Sequence, residues 1–275
     1  MKALLLTGLL FILILPGCRK ETSILPLLQS VEELIPMYAD SASVLLDSIQ
    51  APDELTDKDF AHWCMLCGKV TDEAATGLLP IYQWQRAQQW FTEHGTAEEQ
   101  AQIDLYLGRA YVEDGEYDKA MQIYADALQL AKEHQAYNVA GYICAYMADL
   151  YGFRDITSEC LKKREEACEF FKKAENYKSY AYSLKDLAGE WAILDSFACT
   201  IPLLQKADSI SQLLHNKNLT AAIANAFALI YEMQGKYNEA ETAYLKAIST
   251  RSEESYKDSI GLLKVYIKNN KLGKA

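Results

Sequence analysis

The chain has 275 residues, half of them apolar and 24% charged, the composition of an ordinary folded protein rather than of a disordered one. Its formal net charge of −11 argues against nucleic acid, whose phosphates need Lys and Arg concentrated on one surface. Only 6 Pro and 13 Gly leave little room for a long linker, and Ala, Leu, Gln, Glu and Lys dominate, as they do in helices.

Lys2 precedes an almost wholly apolar run from Ala3 to Leu15, too short to span a bilayer comfortably and suited to the core of a secretory signal. The run ends in Leu15-Pro16-Gly17-Cys18, which resembles the cleavage region of a bacterial lipoprotein. That resemblance implies that residues 1–17 are removed and that Cys18 is acylated, with several acyl chains giving a stable anchor. Arg19 rather than Asp follows the Cys, which by the same likeness implies sorting to the outer membrane. Residues 18–29 then read as a tether and residues 30–60 as an N-terminal helical cap.

Beyond the cap the chain repeats. Gly68, Gly108, Ala148, Ala188 and Ala228 are spaced by 40 residues. Three positions after each stand Thr71, Tyr111, Tyr151, Trp191 and Tyr231, and nineteen after each stand Ala87, Ala127, Ala167, Ala207 and Ala247. Between them lie Pro80, Ala120, Cys160, Thr200 and Ala240, short in every unit. A fixed period in this range predicts a stacked array of helical hairpins. Small residues let two helices approach, and the ring three positions on shares a face with the small residue and fills the gap to the next unit. Gly115 and Gly235 supply turns, and Asp155 and Asp195 stand in the same column. The frame is five units over residues 61–260, followed by a capping helix and tail over 261–275.

The runs Leu107-Gly108-x2-Tyr111 with Ala120-x3-Tyr124-x2-Ala127, and Ala228-x2-Tyr231 with Ala240-x3-Tyr244-x2-Ala247, resemble the tetratricopeptide repeat (TPR). The family's early Trp is absent, with Asp104 and Ala224 in its place. The period of 40 exceeds the family's roughly 34, which places the extra length in the second helix or the loop after it. The implied fold is all-α, a right-handed α-solenoid of TPR-like hairpins. With the lipoprotein signal and the segment Asp40 to Ile49, the chain looks like TPR lipoproteins common in Bacteroidota, whose longer members continue into a membrane helix and a DNA-binding regulator module.

In that family the first helices line a concave groove. Mapped onto this chain, the groove residues are Gln102, Leu105, Arg109, Glu113, Tyr142, Asp149, Phe153, Tyr182, Lys185, Ile193, Asn225 and Glu232. Rings, both charge signs and an amide suit an extended peptide or protein segment. Catalytic, cofactor and metal sites are not expected. Cys64, Cys67, Cys144, Cys160, Cys168 and Cys199 largely follow the repeat and read as small buried residues, and Cys64-x2-Cys67 has neither a helix N-terminus nor a second pair to make it redox-active or zinc-binding. His94, His134 and His215 close second helices, where a cation favours the dipole. The expected work is non-catalytic capture of a protein or peptide partner, with membrane contact through the lipid alone; the alternative is a ligand-sensing domain related to the membrane-bound transcriptional regulators.

Overall fold

The computed structural model describes residues 24–74, 76–251 and 256–270. The leader, Cys18, the start of the tether and residues 271–275 lie outside the described residues. The described chain forms α1 (Leu25–Asp47), α2 (Asp57–Glu73), α3 (Ile81–His94), α4 (Ala97–Glu113), α5 (Tyr117–Glu133) and α6 (Tyr137–Phe153). It continues with α7 (Thr157–Lys173), α8 (Tyr177–Ile193), α9 (Phe197–Leu213), α10 (Lys217–Met233), α11 (Tyr237–Thr250) and α12 (Tyr256–Lys268). A short 3-10 turn at Pro52–Glu54 joins α1 to α2, and no strand occurs among the described residues.

The ladder has a simple origin. From α4 to α10 every helix has 17 residues. Three-residue connectors separate them, so two helices and two connectors make the 40-residue step. The added length over a shorter repeat is therefore not confined to the second helix or its loop, as the sequence reading expected; first and second helices are equally long. Every connector turns through a left-handed residue. Gly115, Asp155, Asp195 and Gly235 do so inside hairpins, and Gln135, Glu175 and His215 between them. The N–H of the residue that follows then reaches back five residues to close the helix, as from Glu116 to the Tyr111 carbonyl at 2.9 Å and from Ala136 to that of Ala131 at 2.8 Å.

The small columns lie in the interior. Gly68, Gly108, Ala148, Ala188 and Ala228 are buried, as are Ala87, Ala127, Ala167, Ala207 and Ala247. A further small column, Ala61, Ala101, Gly141, Ala181, Ala221 and Gly261, is buried throughout. A Cβ on Gly108 would fall within the Tyr124 ring, and one on Gly68 within that of Tyr106. The filling rings thus differ from expectation. Tyr111, Tyr151, Trp191 and Tyr231 are only half-buried, because they occupy the last turn of each first helix and lend their carbonyls to the connector. The buried rings Trp84, Tyr124 and Tyr244 lie sixteen positions after the small residue, on the second helices, while Tyr106, equally buried, lies on the first helix α4.

Curvature follows from which helices touch. The first helices α2 and α4, α4 and α6, and α8 and α10 pack directly on each other, whereas second helices pack only on first helices. First helices therefore form the inner layer of the curve. Among them α6 and α8 stand apart, without the close backbone approach of the other neighbours.

Two expectations follow for stability. Gly108→Ala must displace the buried Tyr124 ring and is expected to cost about 1–3 kcal/mol. Gly189, inside α8, has open space around its Cβ position, so Gly189→Ala is expected to gain about 0.5–1 kcal/mol from helix propensity alone. Urea unfolding of the two variants checks this; equal shifts would show that ring contact does not set the small column. The second expectation concerns Asp104, whose carboxylate accepts from Gln88 Nε2 at 2.7 Å and whose pKa burial pushes up to about 6. The folded chain keeps this proton up to about pH 6 while the unfolded chain releases it near pH 4, so stability falls as pH rises between those values. Asp104→Asn is expected to gain about 1–2 kcal/mol at pH 7, allowing for solvent screening, and nothing below pH 4. A gain that does not change with pH would exclude the charge as its source.

Candidate functional site: a trough on the inner face

Where α6 and α8 part, a cavity of about 330 Å³ opens between them. Tyr142, Tyr146 and Asp149 of α6 form one wall and Lys178, Tyr182 and Asp186 of α8 the other, with Arg164 and Phe171 of α7 also lining it and Asp72 and Glu73 of α2 at its edge. A second cavity of about 380 Å³ lies between α8 and α10, lined by Lys185, Ile193, Asn225, Leu229 and Met233. Arg164 and Asp186 line both, so the two are parts of one trough along the inner layer.

The α6 half is aromatic and hydrogen-bonded. The Tyr142 and Ser179 hydroxyls lie 2.9 Å apart, and the Tyr142 ring meets Phe171 edge-on at 4.8 Å. Arg164 is the structural anomaly. It stands sixteen residues after Ala148, in the column that holds Trp84, Tyr124, Leu204 and Tyr244 in the other hairpins, and its side chain is only 12% exposed. A buried guanidinium needs compensation. It donates to Asp149 at 2.6 Å, lies 3.6 Å from Glu190 and reaches the Ala145 carbonyl at 3.5 Å. Its Nε has no protein partner. Burial raises the Asp149 carboxyl above its ordinary pKa, opposed by Arg164.

At the α4 end, Asp72 receives hydrogen bonds from Arg109 and, at 2.8 Å, from the Tyr106 hydroxyl. Burial likewise raises the Asp72 carboxyl, against the pull of Arg109. The Arg109 guanidinium lies 4.9 Å from the centre of the Tyr146 ring. Lys178 donates to Glu73 at 2.7 Å, joining residues 105 apart in the chain. Glu73 ends α2 and Lys178 sits in the first turn of α8, both at the wrong pole of their helix dipoles, so their placement answers to each other rather than to their own helices.

Of the expected groove residues, Tyr142, Asp149, Tyr182, Lys185, Ile193 and Asn225 line the trough, and Arg109 closes its α4 end. Leu105 does not belong: it is 1% exposed and packs in the core. Gln102 lines a separate cavity between α1, α2 and α4, with Gln29 and Met65. Glu113 and Phe153 are exposed in the last turns of α4 and α6, outside the trough lining. Glu232 accepts from Lys268 at 2.6 Å and from the Tyr244 hydroxyl at 3.4 Å, so it ties α10 to the last two helices. Sequence reasoning missed Tyr146, Arg164, Lys178 and Asp186. Only Arg164 left a signal, a charge in a column otherwise apolar.

Cys199 is exposed rather than buried, and the other five described cysteines lack the setting of a nucleophile. Burial pushes the Cys64 and Cys67 thiols far up, and those of Cys144 and Cys168 to about 12 and Cys160 to about 11. Among the described residues no group of three or more His, Cys, Asp or Glu could hold a metal ion, and no helix is long and apolar enough to cross a membrane.

Two segments match family models described as tetratricopeptide repeat, residues 107–135 and 220–254. Comparison with curated proteins finds no match. Among solved structures, BtubC from P. vanneervenii is similar at a TM-score of 0.62 and 17% identity, over 71% of this chain and 85% of that one. A Rap protein complexed with Competence and Sporulation Factor is similar at 0.63 and 17% identity, over 92% and 73%. The quorum sensor NprR from B. thuringiensis, in its apo form, is similar at 0.59 and 13% identity, over 91% and 72%. Identities this low establish shared architecture alone. The chain is an all-α solenoid of regularly spaced, TPR-like helical hairpins, two segments of which match the tetratricopeptide repeat.

Proposed function

We propose that the protein is a non-catalytic scaffold whose trough between α6, α8 and α10 takes an extended segment of a partner protein. The observation that carries this is the continuity of the trough, with tyrosines and ion pairs at one end and the exposed Ile193, Leu229 and Met233 at the other. A wall built from packed helices loses little conformational entropy on binding, which favours capture of a flexible segment. The Rap protein of the same fold was solved with Competence and Sporulation Factor, which supports the reading. The likeness to a quorum sensor favours a second reading, a ligand-sensing domain related to membrane-bound transcriptional regulators. We further propose that Cys18 carries lipid and that the chain is an outer-membrane lipoprotein of the Bacteroidota type; the Leu15-Pro16-Gly17-Cys18 run supports this.

A photo-crosslinking residue at Tyr182, irradiated in native membranes, is expected to yield an adduct with a polypeptide, while one at the exposed Glu169 of α7 yields none. Adducts at Glu169 alone would move binding to the outer layer. Cys18→Ser is expected to abolish incorporation of labelled palmitate and to release the protein from membranes; unchanged labelling would refute the anchor.

A further inference from the structure

The last helix, α12, is in the register of a sixth first helix. Gly261 continues the column of Ala101, Gly141, Ala181 and Ala221, and a Cβ there would fall within the Tyr244 ring of α11. Leu263 continues the column of Ile103, Ile143, Ser183 and Ile223, all buried, and Ile267 that of Leu107, Met147 and Leu187, buried, and Phe227, half-buried. In α12 the same columns are open. Leu263 is 43% exposed and Ile267 52%; beside them, outside those columns, Ile260 is 52% exposed and Tyr256 78%. Residues 256, 260, 263 and 267 fall on one helix face, and no described element covers it. At positions 263 and 267 α12 carries apolar residues of the kind that earlier first helices bury.

We propose that this face of α12 docks an amphipathic helix of a partner protein, one with acidic residues flanking its apolar stripe. The register points to a helix, because in the complete hairpins these positions are enclosed by helices. The acidic flank follows from charge. Lys257 and Lys264 are exposed on the same side of the stripe, about 70–90° from its centre at 100° per residue. A second copy fits poorly, because antiparallel two-fold pairing of α12 would set each lysine flank against the other.

The test uses a helix that already carries the pattern, this chain's own residues 117–133, as a labelled synthetic peptide. Two versions are titrated onto the full chain: the natural sequence, and one with Lys119→Glu and Lys132→Glu. The acidic version is expected to bind about ten-fold more tightly than the natural one. Leu263→Lys combined with Ile267→Lys is expected to abolish binding without changing the melting temperature, since both side chains are exposed. Tyr182→Ala is expected to leave binding unchanged, which separates this face from the trough. No binding of the acidic peptide, equal binding of a shuffled one, or binding retained in the Leu263→Lys/Ile267→Lys chain would overturn the proposal. So would a dimer that this double variant dissociates, which would give the face to a second copy.

Discussion

The solenoid depends on one kind of contact: a backbone left bare at Gly or Ala, covered by a ring or aliphatic chain from the adjoining helix. Gly68 under Tyr106, Gly108 under Tyr124, Gly141 under Phe171 and Gly261 under Tyr244 are its clearest instances. The geometry admits little adjustment, because the covered position has no room for one more carbon. The small residues recur every 40 positions, and such contacts set how closely neighbouring helices approach. Curvature follows, since first helices other than α6 and α8 pack on their neighbouring first helices and second helices do not pack on one another. The trough is therefore a consequence of core packing rather than a feature added to it.

Arg164 shows what happens where the contact changes kind. In the α6–α7 hairpin the ring column holds a guanidinium, and charge must be answered by charge. Asp149 answers from α6 and Glu190 from α8, so the two walls of the trough are joined by an ion pair and a longer contact through one side chain. These are the first helices that do not approach closely. A polar floor with tyrosine walls results, in place of a filled apolar seam. The Glu73–Lys178 pair spans the same region from the other side and links α2 to α8. Together with Arg109 and Asp72, these side chains give the trough ion pairs whose partners sit on different helices.

Much of the fold was legible in the sequence because packing repeats. Small columns recur at one spacing, and Gly115, Asp155, Asp195 and Gly235 mark their turns by residue type. Gln135, Glu175 and His215 adopt the same left-handed turn without being turn formers; there the helix-closing hydrogen bonds override local preference. The site was less legible, for a physical reason. A position on a first helix faces core or trough according to which helices enclose it, so Leu105 is buried while Lys185 and Asn225, in the same column, line the trough. Pairings such as Asp72 with Arg109, or Glu73 with Lys178, join residues from separate repeats and leave no local motif.

The central claim is that the trough is preformed by this packing. Hydrogen–deuterium exchange on the free protein tests it most directly. Amides in the middle turns of α6, α8 and α10 are expected to exchange as slowly as those of α5 and α7, with which they share the core. Fast exchange confined to α6, α8 and α10 would contradict the account, because the trough would then be shaped by its ligand rather than waiting for it.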